Sequence, residues 1–397
     1  MALANTSSSF GSGARVFHWL TAFLIITAIP LGLIANGLPY DTGEELARKA
    51  LLFSMHKTVG IAAFFIGLAR ILWALFQTHP APLHPDHKAE TFAAGLVHWL
   101  LYVSLVLVPL SGWLHHAATS GFAPIWWPFG QTLPFVPVND TLAHFFASWH
   151  FVFTKVLGVA LLLHIAGALK HHFVDRDDTL NRMLGRAEAG AENANHGGRG
   201  PFVAAAIIWG AALAGGTALG LGSDKAALPG AELAQVQSDW QVQDGTISIS
   251  VLQLGSAVEG TFADWTAIIA YDETVTDGAA GSVDVTISVP SLTIGSVTSD
   301  AMKPDFFNAT EFPTATYSGT ILTEGGAHRA EGTLTLKGAD VPVNFPFTLE
   351  ITDGLATMAA EMTLQRLDFA IGESYPDESS LGFPVTVAIN LTAQLSE

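Results

Sequence analysis

Residues 148–172 read S-W-H-F-V-F-T-K-V-L-G-V-A-L-L-L-H-I-A-G-A-L-K-H-H, an apolar helix carrying His150 and His164. A helix advances ~1.5 Å and turns ~100° per residue, so these two imidazoles fall within about 40° of one another and lie about 21 Å apart along the axis. Hydrocarbon offers an imidazole no hydrogen-bond partner, so a histidine inside a membrane helix must find one on its neighbours. Two on one stripe, at two depths, imply two sites stacked through a bilayer. Two haems with histidine ligands would occupy both.

Three more runs precede this helix. Residues 16–40 hold no Asp, Glu, Lys or Arg; residues 51–76 carry only Lys57 and Arg70; residues 92–114 carry no charge. Each is long enough for a span of about 20 residues. His18, His56 and His98 stand near their starts, and Arg70, near the end of the second, is read as reaching for the interface. A fifth run, 202–222, is Ala/Gly-rich, lacks histidine and reads as an anchor.

The connections are read as loops: 41–49, the Pro/His-rich 77–90, 115–147 with Trp126 and Trp127, and 173–200 with four arginines. His79, His84, His87, His115, His116, His144 and His196 lie in or near them and are expected to be solvated. Residues 1–14 lack a cationic n-region and read as a cytoplasmic tail rather than a signal peptide.

Lys and Arg near the span ends set orientation. With the N-terminus inside, eight cations lie inside and five outside, the latter including Arg48, Lys49, Lys57, Lys155 and Lys225. Five spans then place residues 226–397 outside. Because each span reverses direction, His18 and His164 come to the inner side, and His56 and His150 to the outer. Parity thus yields two trans-helix pairs suited to six-coordinate iron. His171 lies one heptad beyond His164, where with His98 and Lys170 it would meet a haem propionate or a quinone head group. Lys57 and Lys155, with Arg48 and Lys49, would hold propionates near the outer pair or attract a small anion. Arg15 and His172 complete the candidate cofactor contacts; no catalytic side chain is assigned.

The remainder of the chain is a different material. Residues 1–225 carry 13 Lys+Arg against 12 Asp+Glu, whereas 226–397 carry 4 against 23. So acidic a module lacks the cation clusters that neutralise phosphates, which excludes a nucleic-acid partner. Stretches such as Thr246-Ile-Ser-Ile-Ser-Val and Val283-Asp-Val-Thr-Ile-Ser-Val alternate with period two, as half-buried strands do. Asp244-Gly245, Asp277-Gly278 and Asp353-Gly354 are read as turns between them. Roughly eight strands make an antiparallel barrel or sandwich, a barrel if it encloses something apolar. The chain has no cysteine, so disulfides, thiolate metal sites and covalent haem attachment are excluded.

Residues 11–186 resemble the bacterial di-haem cytochrome b561 family, through His18-Trp19-Leu20, Met55-His56-Lys57, Gly95-Leu96-Val97-His98, Ser148-Trp149-His150, Leu163-His164, His171-His172-Phe173 and Asp178-Thr179-Leu180-Asn181-Arg182-Met183. The resemblance implies two non-covalent b haems held by His18, His56, His150 and His164, and electron exchange with ubiquinone or another isoprenoid quinone. Some members of that family oxidise superoxide. Residues 232–395 resemble the YceI-like, lipocalin-like family that binds polyisoprenoids. Val258-Glu-Gly-Thr-Phe262, Asp305-Phe-Phe-Asn-Ala-Thr-Glu-Phe-Pro-Thr-Ala315, Glu331-Gly-Thr-Leu-Thr-Leu-Lys-Gly338 and Leu364-Gln-Arg-Leu-Asp-Phe-Ala-Ile-Gly372 carry it. It implies an eight-stranded barrel with an apolar lumen. A histidine often found before the Gly-x-Phe element is here Gln253.

The expected architecture is an all-α transmembrane four-helix haem bundle (11–186), a linker (187–231) containing a fifth transmembrane helix (202–222), and an all-β antiparallel lipocalin-like barrel (232–397). The expected protein is an inner-membrane cytochrome moving single electrons to or from a quinone, with its barrel in the periplasm binding a quinone-like or other isoprenoid lipid near the outer haem. Superoxide is one candidate donor. The alternatives are an electron-relay subunit for a partner dehydrogenase or hydrogenase, and an isoprenoid-binding protein anchored by the bundle.

Overall fold

The computed structural model describes residues 2–119, 122–127, 129–187, 198–221, 231, 233–234, 236–295 and 297–396. His196 and Lys225 lie outside the described residues, as does most of the stretch 187–231 apart from its helix. The chain divides into two compact units: Met1–Leu38, Ala50–Thr119 and Ala123–Ser223 form one; Pro39–Lys49, Ser120–Phe122 and Asp224–Glu397 form the other.

The first unit is helical, with α1 (Ser12–Gly37), α2 (Gly43–Leu75), α3 (Lys88–Ala117), α4 (Asp140–Lys170), α5 (Thr179–Leu184) and α6 (Gly200–Leu221). Five of these, all but α5, are long and apolar enough to cross a membrane. The helices outrun the apolar stretches at polar ends. α2 begins at Gly43, so most of the expected 41–49 loop is helical. Thr42 Oγ1 accepts from the Glu45 amide (3.3 Å), and Glu44 and Glu45 sit in the positive first turn. α4 begins at Asp140, capped by Asn139 Oδ1 accepting from the Leu142 amide (2.9 Å). His144 therefore lies on α4, and His115 and His116 on the last turn of α3, not in loops.

The expected anchor packs as a member of the bundle. Cβ atoms added at Gly216 and Gly220 would clash with Trp149 and Phe145 of α4, so this small-residue pair lets the two backbones close up. Trp149 Nε1 donates to Thr217 Oγ1 (3.2 Å), and Phe153 meets Trp209 edge-on. After α4 the chain makes one π turn, His171–Asp175, and reverses at Arg176 in left-handed backbone (φ 56°). Asp177 fixes this end. Its Oδ2 accepts from His171 Nδ1 (2.7 Å) and His84 Nε2 (3.1 Å), and its Oδ1 from the Thr179 amide (2.9 Å). Burial works to raise its pKa, but the Thr179 and His171 hydrogen bonds outweigh it and hold the carboxyl down at about 2.

Such a carboxylate stabilises the fold above its ordinary pKa of about 4 and ceases to as pH falls through its folded value. Asp177→Asn is expected to cost about 2 kcal/mol at pH 7, since hydrogen bonds to charged groups are worth about that much. Thermal unfolding of the two proteins should converge as pH falls from 4 towards 2. A gap that stays constant across that range would exclude this role.

The second unit is a curled antiparallel sheet. Its strands are β1 (Trp240–Gln253), β2 (Ser256–Phe262), β3 (Trp265–Tyr271), β4 (Asp277–Ser288), β5 (Leu292–Thr293), β6 (Thr314–Glu324), β7 (Ala327–Leu336), β8 (Ala339–Thr352), β9 (Leu355–Gln365) and β10 (Leu381–Leu395). A short helix, α7 (Thr298–Ala301), follows β5. The spatial order is β3-β4-β6-β7-β8-β9-β10-β1-β2-β5. The sheet closes where the start of β1 returns to β3: Trp240 Nε1 donates to Tyr271 O (3.2 Å), and Ser238 Oγ accepts from the Ile269 amide (2.7 Å). β2 pairs with Ile247–Gln253 of β1, and β3 follows after Ala263–Asp264 to pass the start of β1, so the two make one interrupted strand. Counting it once, and setting aside the two-residue β5, leaves the expected eight.

Alternation does what it predicts in β8, where Val343, Phe345 and Phe347 turn to the cavity and Asn344 and Glu350 to solvent. Of the three Asp-Gly pairs read as turns, Asp353-Gly354 is one, both residues having positive φ between β8 and β9. Asp244-Gly245 instead lies inside β1. A Cβ at Gly245 would stand 2.7 Å from the Trp265 ring, so a side chain is excluded there by the barrel's own closure. Asp277-Gly278 opens β4.

Candidate functional site

α4 carries His150 and His164 to two sites. At one, the His56 and His150 ring centres are 6.3 Å apart with planes at 83°; at the other, His18 and His164 are 6.0 Å apart at 56°. Imidazole nitrogens bind metals at about 2 Å, and the nitrogen lies about 1.1 Å from its ring centre, so rings on opposite sides of one metal have centres about 6 Å apart. Both pairs have that spacing. The His98 and His164 rings are also close, at 5.2 Å, but about an ångström short of it. His98 moreover hydrogen-bonds the Ala94 backbone of its own helix. The distances favour His18 as the partner of His164 and leave His98 packed beside them.

The first pair is further prepared for ligation. His56 Nδ1 bonds to Ala28 O (2.8 Å), and His150 Nδ1 to Val108 O (2.9 Å). A carbonyl only accepts, so each Nδ1 carries the hydrogen and each Nε2 keeps its lone pair for a metal. The receiving helices make room in the same way. Four residues beyond each carbonyl stands a glycine, Gly32 on α1 and Gly112 on α3, and a Cβ there would lie 2.7 Å from the His56 ring or 3.0 Å from that of His150. Within each turn a proline, Pro30 or Pro109, interrupts the backbone ladder. Carbonyl, proline and glycine together form a notch for an imidazole, and it occurs twice.

The second pair has a different neighbour. Arg70 does not reach for the interface: its Nη2 lies 3.5 Å from His18 Nδ1, and its guanidinium lies over the Tyr102 ring, 5.4 Å from the centre. Arg70, His18, His98 and His164 line one small void of about 50 Å³, room for an iron and not for its macrocycle. The spacing of donors, not the void, carries the fit to a haem.

The other candidates scatter. His171 turns to Asp177 and Asp175, not to His98; His172 is exposed beside Phe173. Lys57 is buried and donates to Ala123 O (2.6 Å), while Lys155 is exposed over the Phe151 ring. Arg15 packs against Gly185, which closes α5. Lys49 lies over the Tyr40 ring in the second compact unit. Sequence reasoning missed the inward Arg70, though a lone arginine in an otherwise uncharged half-span was the available signal. It also missed Gly32 and Gly112, for which spacing to a proline gave only a weak one.

The barrel encloses a cavity of about 630 Å³, in the range of small-ligand sites. Ile247, Val258, Phe345, Val385 and Trp240 are among its apolar walls, and Gln253 lies on it too. Tyr317 donates to Val343 O (3.1 Å), and burial pushes its hydroxyl up to about 12, so it stays neutral.

Known proteins divide along the same line. Residues 9–186 match the family described as Prokaryotic cytochrome b561, and residues 239–393 the YceI-like domain. Cytochrome b561 homolog 2 of Escherichia coli (strain K12) is 33% identical over 196 residues, 48% of this chain and 98% of that protein. Probable superoxide oxidase CybB of Yersinia pestis is 28% identical over 173 residues, 42% of this chain and 90% of that one. Protein YceI of Shigella flexneri is 32% identical over 114 residues, 28% of this chain and 59% of that one. With five spans and these histidines in one bundle, the chain is a multi-pass membrane protein of the prokaryotic cytochrome b561 family, whose cofactor is haem b, and it carries a YceI-like domain after the bundle.

Proposed function

We propose that the bundle holds two b haems, one between His56 and His150 and one between His18 and His164, and exchanges single electrons with an isoprenoid quinone. The observation that carries this is two imidazole pairs at trans spacing, joined by one helix. Held by these imidazoles, haem would supply one-electron redox chemistry. The chain's residues orient the rings: Ala28 and Val108 fix the outer tautomers, while Arg70 lends a positive charge beside the inner pair.

The orientation with the N-terminus inside puts the His56–His150 pair on the periplasmic side of a bacterial inner membrane. The likeness to a protein named as a superoxide oxidase favours superoxide as donor. Two superoxide ions would each give one electron and leave as dioxygen, and the quinone would take both electrons with two protons. The barrel would bind an isoprenoid lipid in its cavity.

The test is haem quantitation with reduced-minus-oxidised spectra on the purified chain, followed by stopped-flow mixing with superoxide and a short-chain ubiquinone. Two low-spin haems per chain, reduced by superoxide and reoxidised by quinone, are expected. One haem, or a high-spin spectrum, would sink the two-site reading. Haems inert to superoxide would leave the sites and remove the donor.

A further inference from the structure

The void beside His18, His98 and His164 has one charged residue on its wall, Arg70, and no carboxylate. A cation inside a membrane bundle is costly unless an anion accompanies it. Lys170 has that company, bonding Glu90 Oε1 (2.9 Å) and Asp175 Oδ2 (2.7 Å). Arg70 has no ion pair to a carboxylate among the described residues. Its contacts are the Tyr102 ring, whose centre lies 5.4 Å from the guanidinium carbon, and His18 Nδ1, 3.5 Å from Nη2. Ligation would remove the second of these. An imidazole that binds a metal through Nε2 carries its hydrogen on Nδ1 and can no longer accept there. The guanidinium would then present five N–H groups beside a wall built largely of Ile25, Leu101, Leu105 and Leu161, with no anion to meet them.

We infer that Arg70 holds a propionate of the haem bound between His18 and His164 and so raises the potential of that iron. The inference rests on the reading of this pair as a haem site. Haem b carries two carboxylates, and one of them supplies the anion that the wall lacks. A guanidinium fork meets a carboxylate through two parallel hydrogen bonds, which an ammonium cannot do. Tyr102 positions the fork by attracting its charge to the ring. A positive charge fixed near the iron favours the reduced state, which carries one more electron than the oxidised one. By sequence position a propionate contact falls to Lys170 with His98 and His171. In the fold Lys170 and His171 are already engaged by Glu90, Asp175 and Asp177, and Arg70 is left to make it.

The experiment uses the full chain, purified with its haems in lipid nanodiscs, and reads two quantities. One is the redox-difference infrared spectrum with haem labelled by carbon-13 at the propionate carboxyls; the other is the midpoint potential of each iron. In Arg70→Met a propionate band should shift, and the His18–His164 iron should favour its oxidised form about tenfold more, about 59 mV for one electron. The His56–His150 iron should hold its potential. Arg70→Lys keeps the charge without the fork, so it should restore most of the potential and leave the band displaced. Lys170→Met, which removes a cation already paired, should change neither. An unmoved band in Arg70→Met would overturn the contact even if the potential falls, because a merely nearby charge would move the potential alone. A band moved by Lys170→Met would overturn it too, by assigning the propionate to that side chain. If the methionine variant holds no haem between His18 and His164, Arg70→Lys decides, and an unmoved band there overturns the contact. A wild-type chain with no haem at this pair would sink the haem reading itself, and the role of Arg70 with it.

Discussion

His56→Leu should purify with one haem per chain in place of two, a halving of the reduced-minus-oxidised absorbance, and the haem that remains should be low-spin. The pairs are separate: His56 faces His150 at 6.3 Å, and His18 faces His164 at 6.0 Å. Leucine removes one axial donor and leaves His150 with its Nδ1 still held by Val108 O. A five-coordinate remnant, if haem stays, would be high-spin and open to carbon monoxide, which a bis-histidine iron is not. His18→Leu should do the reverse, sparing the haem at His56. Electron paramagnetic resonance of the two ferric variants, each set against the wild type, separates the signals. Loss of both haems from either single change would undo the pairing.

The second large effect is expected in the barrel. Arg366, 3% exposed, is a cation with no ion pair to a carboxylate among the described residues. Its guanidinium donates to five backbone carbonyls, those of Ile371, Gly372, Tyr375, Leu381 and Gly382, and so gathers the excursion 366–380 between β9 and β10 around itself. Arg366→Met would leave those acceptors without donors in a place water reaches poorly. Breaking such a buried network costs about 3–5 kcal/mol, a large part of the ~5–15 kcal/mol that holds a domain folded. Hydrogen–deuterium exchange should rise more than a hundredfold in peptides spanning 366–382. Arg366→Lys keeps the charge but offers fewer donors and should fall between. Unaltered protection in the methionine variant would mean that the loop is held by other contacts.

The spans were legible because a lipid-facing helix has to be written in uncharged residues, and the pairing of His18 with His164 and His56 with His150 followed from spans that alternate direction. What sequence could not show is settled by contacts between distant residues. Arg70 looks interfacial by position, yet its neighbours are the three imidazoles and Tyr102. The starts of α2 and α4 lie in polar stretches, where the caps Thr42 and Asn139 extend helices that hydropathy would end. In the barrel, period-two alternation marked strands, but not the break at Ala263–Asp264 that splits one of them. Nor could local pattern show that Pro39–Lys49, between two spans, is hydrogen-bonded to Tyr375 and Ser380. The distinction between His18 and His98 as the partner of His164 rests on less than an ångström, which no spacing rule supplies.

The 14-residue separation on α4 has an electrical meaning. Two redox positions about 21 Å apart along a helix occupy some two thirds of a hydrocarbon layer about 30 Å thick. An electron passing from one to the other would cross that fraction of the membrane voltage, worth about 1.6 kcal/mol for each 100 mV. With the N-terminus inside, as proposed, an energised membrane, negative inside, would then pull reducing equivalents toward the His56–His150 end and oppose their travel inward. If the bundle holds the two haems proposed, the same protein in a leaky vesicle and in a polarised one should show different apparent midpoint potentials for them, making the bundle a voltmeter as well as a wire.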